Sequence, residues 1–296
     1  MQIVSSYEKE KHPLNVINPL KFIEIPEELV FDVGYEPCKV QNKKYVFNQK
    51  TGEYLNVVGS NYQCVGHHTF AKSIFSAINE SIPSEHLADA DIKFKTARRN
   101  GFMMMEIILP NLSYEIYTEK HSEKIGQRII ALHGVDGLCS NLAVFGQISF
   151  FCTNKMIRGE HDKVLRKNTS GFSIENFEKQ LMVSQQSFYS HAEELQRWAN
   201  ISTASLDAEL FLEKVMKSKR QAKNMLSLYE QEVSVRGKNA YSLYSAFTNY
   251  ASYADNRNGF PIKETGNDTQ AVTMWQRELD VTKWISSKPF KELVNV

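Results

Sequence analysis

The chain has 296 residues and a net charge of +1, with 42% of its residues hydrophobic and 23% charged. This composition is typical of a soluble globular protein and is too apolar for a disordered one. The near-neutral charge excludes a global attraction to polyanions, so any binding of nucleic acid has to rely on local basic patches.

The beginning of the chain predicts an extended arm, then a hairpin and a helix. Residues 1–37 carry many charges and four prolines, a pattern typical of an arm with short strands that orders by docking. The β-like runs Lys44–Asn48 and Tyr54–Val58 flank a Gly-containing turn. Thr69 occupies an N-cap position, and apolar residues then recur every four positions on one helix face: Phe70, Ile74, Ile78 and Ile82.

Asn100-Gly101 gives the sharpest local signal, because an Asn-Gly pair supplies the positive φ angles of a type I′ hairpin turn. The pair separates two β-like arms, Ile92–Arg99 and Phe102–Leu109. Further β-like runs follow at residues 114–118, 128–133 and 143–151. Residues 38–170 are therefore predicted to form a mostly antiparallel sheet domain with one early helix.

After Gly171 the hydrophobic period becomes helical, which predicts a C-terminal helical annex over residues 171–296. One apolar stripe runs from Ile174 to Ala199, and Ser205 is placed as the cap of a second helix that becomes basic towards its end. Later helices are predicted over residues 240–253 and 271–285. The predicted fold class is α+β, a sheet domain followed by helices.

The cysteines Cys38, Cys64, Cys139 and Cys152 stand far apart and form no C-x-x-C pair. This spacing predicts reduced thiols, with neither a disulfide nor a structural zinc site. The first residues lack the apolar core of a signal peptide, and no apolar run has the length of a membrane span. We therefore expect a protein of a reducing cytoplasm, whether of a cell or of an infected host, with no cofactor and no membrane contact.

Three blocks stand out in order along the chain. The first is Glu53–Tyr62, followed by the helix that includes Phe70. The second is the Asp-Gly turn of residues 135–137, a strand ending in Cys152-Thr153-Asn154, and then His161. The third is Tyr241–Tyr250 in the helical annex. In this order the blocks resemble a phage- and plasmid-borne family catalogued as domain of unknown function 932.

The chain departs from that family pattern at two places. It has Lys155 where a Gly is usual, and Ser245-Ala246 where Asn-Ala is usual. The resemblance implies a mobile-element protein encoded near phage replication or recombination genes, and it implies no established activity.

Three basic patches are candidates for phosphate contacts, which hold a strand without reading its sequence. One follows an arm of the Asn-Gly hairpin: Lys93, Lys95, Arg98 and Arg99. Another follows the strand that ends at Asn154: Lys155, Arg158, His161, Arg166 and Lys167. The last lies within Lys214–Lys223 and includes Lys219 and Arg220. A solvated charged face is the ordinary explanation of any single patch, but three patches in a near-neutral chain favour a binding role.

We expect the first two patches to lie on one face and to form a single binding surface. Charge reversal at Arg98 and Arg99 together would then weaken binding of single-stranded DNA and leave thermal stability nearly unchanged.

Aromatic residues recur every third position over residues 241–253: Tyr241, Tyr244, Phe247, Tyr250 and Tyr253. Such a row drifts around a helix of 3.6 residues per turn, so it cannot all face one core. We expect Tyr244 and Phe247 to pack inside and some of the other tyrosines, with Tyr241 and Tyr250 as candidates, to reach the surface and stack on unpaired bases. Rings half-buried among helices are the ordinary alternative.

These patterns favour a non-catalytic, sequence-independent single-stranded DNA-binding protein of a phage or plasmid, acting in replication or recombination and able to form a homo-oligomer. The alternative is a protein-interaction factor that binds host or phage replication or transcription proteins, for host takeover, transcription regulation or counter-defence. The near-neutral net charge favours that alternative. A metal-dependent nuclease comes third, because scattered Asp and Glu residues can form a site although no phosphate-loop, dinucleotide or zinc-protease motif is present.

Overall fold

Among the described residues, the antiparallel strands precede the main group of helices, which is the α+β arrangement that the sequence predicts. The computed structural model describes residues 23–149, 155–157, 163–166, 188–216, 218–257 and 266–295. Most of the predicted N-terminal arm and the first part of the helical stripe that starts at Ile174 lie outside these ranges. No described helix combines the length and apolar character needed to cross a membrane.

A small three-stranded sheet comes first. It contains β1 (Val33–Pro37), β2 (Lys43–Asn48) and β3 (Tyr54–Gly59), in the order β1-β2-β3 with antiparallel neighbours. The predicted hairpin is β2–β3. Its turn closes because Gly52 adopts a φ of 74° and the Asn48 side chain accepts a hydrogen bond from the backbone N–H of Lys50.

Helix α1 (His67–Ser81) buries the predicted apolar face: Phe70, Ile74 and Ile78. The helix begins two residues before the predicted cap Thr69, because Gly66 takes the N-cap position. A Cβ atom on Gly66 would lie 2.5 Å from the carbonyl oxygen of Phe31, so the chain passes too close to this segment for a side chain. A short helix, α2 (Ser84–Leu87), follows.

The second sheet is larger. It contains β4 (Asp91–Ala97), β5 (Phe102–Tyr117), β6 (Ser122–Gly134), β7 (Asn141–Ser149), β8 (Lys155–Ile157) and β9 (Lys163–Arg166). The order is β4-β5-β6-β7, and both β8 and β9 pair with β7, all antiparallel. The register between β5 and β6 shifts between Leu109 and Ser113, an irregularity of the kind that bends a strand.

The helical region contains α3 (Phe188–Asn200), α4 (Ala208–Met216), α5 (Lys219–Arg236), α6 (Ala240–Arg257), α7 (Gly266–Ile285) and α8 (Lys288–Val294). Ser205 is not the cap of α4, as the sequence predicted. The backbone N–H of Leu210 donates to the Asp207 side chain at 3.0 Å, so the residue directly before the helix caps it. The predicted basic helix is also two helices, because Ser218 starts a new one by accepting from Gln221.

Helix α6 lies at the centre of the helical region, where it contacts α3, α5 and α7. Tyr241, Tyr244 and Phe247 are each 0% exposed as a result. The prediction that Tyr244 and Phe247 pack inside is confirmed. A helix surrounded by other helices buries more than one stripe of its surface, so the drift of the aromatic row does not bring Tyr241 to solvent.

Both faces of the second sheet are covered. Met103, Met105 and Ile107 of β5 share a hydrophobic cluster with α1. Since side chains alternate along a strand, the residues between them point to the opposite face, where α7 contacts β4. This explains why β5 is buried on both faces along its first half, unlike a strand with one solvated face.

A buried arginine joins the second sheet to α7. Arg128 of β6 donates to Glu106 of β5 at 2.5 Å and to the two carboxylate oxygens of Glu278 of α7 at 2.7 and 2.9 Å. The Arg128 side chain is 0% exposed, and the two glutamates are 5% and 2% exposed. The pairing of Arg128 with Glu278 is bidentate, the geometry in which charge-assisted hydrogen bonds are strongest.

A second buried arginine joins the other end of β6 to α5. Arg236 donates to both carboxylate oxygens of Glu123 at 2.7 and 2.9 Å and to Glu232 one helical turn earlier. Burial disfavours the charged form of Glu123. The hydrogen bonds and charge of Arg236, with help from the Ser149 hydroxyl, outweigh this and hold the pKa of Glu123 below its usual value.

Replacing Arg128 with Met should lower the free energy of unfolding by about 3–5 kcal/mol, because two buried carboxylates lose their partner. The matched control is Arg197→Met, which removes an arginine that is 59% exposed and lies 3.7 Å from Glu194. That change should cost about 1 kcal/mol or less. Equilibrium unfolding in urea measures both variants, and equal losses would contradict a special role for the buried cluster.

Candidate functional site

The tip of the β4–β5 hairpin has an unusual backbone. Arg98, Arg99 and Asn100 adopt φ angles of 55°, 54° and 60°, and the N–H of Gly101 donates to the Arg98 carbonyl at 2.9 Å. The predicted hairpin is confirmed. The central pair with the positive φ angles of a type I′ turn is Arg99-Asn100, however, and not the predicted Asn100-Gly101.

Gly101 is not needed for a positive φ angle in the turn, which is the reason that an Asn-Gly pair suggests. It is needed because other atoms lie too close for a side chain. A Cβ atom on Gly101 would lie 2.9 Å from the Arg98 carbonyl oxygen and 3.0 Å from the Cβ atom of Asp136. The glycine therefore allows a close approach of the loop after β6, while the residues before it adopt the left-handed conformation. For a residue other than Gly, that conformation costs roughly 1–2 kcal/mol, least for Asn.

An ion pair and hydrogen bonds from the neighbouring segments hold this backbone in place. The Arg98 guanidinium donates to Asp136 at 2.5 and 3.2 Å, and the Asp136 side chain is only 3% exposed. The N–H of Val135 donates to the Gly101 carbonyl at 2.9 Å. Backbone strain that is fixed by surrounding contacts is a frequent property of binding and catalytic sites, which makes the hairpin tip a candidate functional site.

Below the hairpin tip lies a pair of buried histidines. Nε2 of His67 is 2.8 Å from the Asn100 carbonyl, and Nδ1 of His67 is 2.8 Å from Nδ1 of His133. A carbonyl only accepts, so His67 donates from Nε2 and accepts at Nδ1 from His133. His133 is then unprotonated at Nε2, a buried atom without a hydrogen-bond partner among the described residues.

Burial keeps both imidazoles neutral. It lowers the pKa of His67 to about 4, although the hydrogen bond to the Asn100 carbonyl acts in the opposite direction. Burial and the neighbouring His67 place the pKa of His133 well below its usual value. The His133 ring also stacks on Phe70 of α1, with ring centroids 4.4 Å apart. The pair therefore connects α1, β6 and the hairpin tip.

Strand β3 and the residues after it contact the loop that follows β6, next to the hairpin tip. Tyr62 donates from its hydroxyl to the Gly134 carbonyl at 3.0 Å and accepts from the N–H of Gly137 at 3.2 Å. The Asn56 side chain donates to the Asp136 carbonyl at 2.8 Å. Segments of the first two sequence blocks, Glu53–Tyr62 and the Asp-Gly turn, thus meet at the hairpin tip.

The hairpin patch is largely neutralised within the protein. Lys93 donates to Asp91 at 2.5 Å, and Arg98 is bound to Asp136. Lys95 is half-buried on the face of β4 that α7 covers. Arg99 is the most exposed of these cations at 70%, with Glu53 3.8 Å away. The expectation that charge reversal at Arg98 leaves stability unchanged is therefore wrong. An acidic side chain at position 98 would lie beside the buried carboxylate of Asp136 and would leave it without its partner.

The described parts of the first two patches are not brought together. Lys155 and Arg166 belong to β8 and β9, which pair with β7, whereas the hairpin arm β4 is at the opposite edge of the sheet. Four strand spacings separate β4 from β9, or about 19 Å. Lys155 pairs with Ile148 and Arg166 pairs with Asn141, which places them about 24 Å apart along β7. Arg158, His161 and Lys167 lie outside the described residues.

The third patch remains at the surface. Lys219 and Arg220 form the first turn of α5 and are exposed, as are Lys214 and Lys223 on either side. None of these four cations forms an ion pair within the described residues. We call Lys214, Lys219, Arg220 and Lys223 the helix-junction patch.

Of the tyrosines expected to stack on bases, Tyr241 is enclosed and Tyr250 is partly covered. The Tyr241 ring is 0% exposed, so its expected surface position is wrong. Tyr250 is half-buried against Trp284, with ring centroids 5.7 Å apart, and the Tyr253 side chain is not among those described. Sequence reasoning also did not connect His67 with His133 or Arg98 with Asp136. His67 and His133 are 66 residues apart in the sequence, and no local spacing reveals such a partner.

The comparisons with known proteins agree with the earlier resemblance. The model of a family described as domain of unknown function 932 matches residues 54–286, well over half of the chain. The matched range includes the hairpin tip, the Asp136 loop and the helix-junction patch. No curated protein and no solved structure matches this chain.

The cysteines and possible metal ligands offer no further site among the described residues. Cys38, Cys64 and Cys139 form no disulfide, and Cys152 lies outside the described ranges. In the described part of the chain, no three His, Cys, Asp or Glu side chains are grouped so that they could hold a metal ion.

Replacing Arg99 with Gly should stabilise the protein by about 1 kcal/mol relative to Arg99→Ala. Both variants remove the charged side chain, but only Gly adopts the φ of 54° without steric cost. Thermal or urea unfolding of the two variants makes the comparison. Equal stabilities would mean that the turn is not strained at this position.

Lowering the pH from 7.5 to 5 should weaken the protein while carboxylates of usual pKa are still mostly ionised. Well above pH 6.5, His67 is neutral in both the folded and the unfolded protein. Below pH 6.5 the His67 side chain becomes protonated in the unfolded chain, whereas in the folded protein it stays neutral until the pH approaches 4. The loss attributable to His67 is about 2 kcal/mol at pH 5. Urea unfolding should show a smaller loss over this range in His67→Gln than in the parent or in His86→Gln, and identical pH profiles would contradict this account.

Proposed function

We propose that this chain, which belongs to the domain of unknown function 932 family, is a non-catalytic protein that binds single-stranded DNA without sequence preference. It would act in the replication or recombination of a phage or plasmid. The observation that carries the proposal is the helix-junction patch, the group of exposed cations around the junction of α4 and α5 that have no acidic partner among the described residues. Phosphates are the natural ligands of such a group, and phosphate contacts do not depend on base sequence.

The position of the patch supports an anionic ligand. Lys219 and Arg220 occupy the first turn of an 18-residue helix, where the positive end of the helix dipole disfavours cations and favours acids. No Asp or Glu is present between residues 214 and 223 to offset their charge. An arrangement that works against the stability of the free helix is understandable if a bound polyanion compensates for it.

The net charge of the chain understates the positive charge that is available to a ligand. The two buried ion clusters contain two arginines and four glutamates, so they hold a net charge of −2: Arg128, Arg236, Glu106, Glu123, Glu232 and Glu278. The whole chain carries +1, and the remainder of the chain therefore carries +3. The near-neutral total was the main argument for a protein-interaction factor, and it is weaker once the buried charges are set aside.

Neutralising Lys219, Arg220 and Lys223 with Gln should lower the affinity for an oligothymidylate by about tenfold or more at low salt. Each lost phosphate contact should also reduce the slope of log K against log salt by about 0.7. Fluorescence anisotropy at several salt concentrations measures both quantities.

The control for these variants is Lys283→Gln/Lys288→Gln, which removes two exposed lysines that already have acidic neighbours, Asp280 and Glu292. Its binding should match that of the parent. If the parent shows no salt-dependent binding to single-stranded DNA, the proposal fails and the protein-interaction factor takes its place.

A further inference from the structure

The small sheet has one buried and one open face. Val46 and Val58 are 0% and 6% exposed and point towards the rest of the protein. The residues of β2 and β3 that alternate with these valines lie on the opposite, open face. On that face Tyr45 pairs with Val57, and Phe47 pairs with Tyr54. Because the register shifts between Val46 and Phe47, both pairs lie on that same face.

Aromatic rings dominate the open face. The Tyr54 residue is 51% exposed and Val57 is 40% exposed, while Tyr45 and Phe47 are half-buried. The ring centroid of Tyr54 is 5.3 Å from that of Tyr45 and 6.1 Å from that of Phe47. The Tyr54 hydroxyl donates to Glu36 of β1, which fixes the direction of the ring. We call Tyr45, Phe47 and Tyr54 the aromatic face.

Charges at the aromatic face suit a polyanion. Lys43 lies on the same face of β2, and Lys39 is in the turn before it; both are exposed and form no ion pair within the described residues. Of the two acids beside the rings, Glu53 lies near Arg99, and Glu36 accepts a hydrogen bond from Tyr54 that engages its carboxylate without cancelling the charge. The cations at this face are therefore more available to a ligand than the acids are.

We propose that the aromatic face stacks on unpaired bases of single-stranded DNA, with Lys39 and Lys43 beside the sugar–phosphate chain. The inference rests on the proposed function and specifies how it selects single strands, since bases within a duplex are not available for stacking. Aromatic side chains on neighbouring strands of an antiparallel sheet stack two or three bases in known single-strand binders, and every base offers a ring face to them.

Structural roles account for only part of the aromatic face. Gly34 of β1 is directly opposite Phe47, and a Cβ atom on Gly34 would lie 2.3 Å from the Phe47 ring. Phe47 thus covers a glycine of the neighbouring strand, which is a sufficient structural role. Tyr54 covers no such gap and remains half exposed.

The test compares oligothymidylate with an abasic strand of equal length, at a salt concentration that weakens phosphate contacts. The parent should bind the strand with bases more tightly, and Tyr45→Leu and Tyr54→Leu should each reduce that preference by roughly fivefold to a hundredfold. The matched control is Tyr117→Leu. Tyr117 is a tyrosine of the large sheet that is 58% exposed and donates to Glu115 much as Tyr54 donates to Glu36.

The outcomes separate this inference from the proposed function. A preference for bases that is lost in Tyr45→Leu and Tyr54→Leu but kept in Tyr117→Leu supports the inference. Equal binding of both strands by the parent overturns the inference and leaves phosphate binding intact, whereas no binding of either strand overturns both. Tighter binding of an RNA strand of matching sequence would overturn the choice of DNA. A dimer that dissociates in Tyr54→Leu, with DNA binding unchanged, would assign the face to a second copy of the chain.

Discussion

Arg128 is the group on which the arrangement of the two halves depends. It bridges Glu106 of the second sheet and Glu278 of α7, with no exposure to water. Removing a charged group from water is costly, and only well-placed partners compensate for it. The sheet and the helix can therefore dock in few other ways without leaving a charge unpaired. Arg236 and Glu123 impose the same constraint at the other end of β6. These pairs fix where the helices lie, and so where α5 presents its first turn.

The elements that the sequence predicted well are those whose signals are local. The β2–β3 hairpin, the buried face of α1 and the hairpin around Asn100 follow from turn residues and apolar spacing. The details that differed depend on contacts between distant segments. The turn lies one residue earlier than expected, where the loop at Asp136 approaches Gly101, and α1 begins earlier than expected, where Gly66 passes close to Phe31. Neither approach leaves a trace in a local pattern.

The candidate site was harder to predict than the fold, because charge and aromatic patterns do not specify partners. The basic run at the hairpin resembled a free surface, yet Arg98 belongs to a buried pair with Asp136. The aromatic row of α6 was more conspicuous than the rings of the small sheet, but neighbouring helices enclose Tyr241, Tyr244 and Phe247. A period-two reading of Lys43, Tyr45 and Phe47 on β2 would have indicated an aromatic face on one side of that strand.

The depth of the ion clusters also determines how the protein can be studied. Dissolved salt screens charges that water reaches, and it acts much less on pairs enclosed by protein. The junction between sheet and helices should therefore survive ionic strengths that remove phosphate contacts from exposed lysines. A loss of ligand at high salt can then be interpreted as a change in binding alone, because the scaffold that presents the cations does not come apart with it.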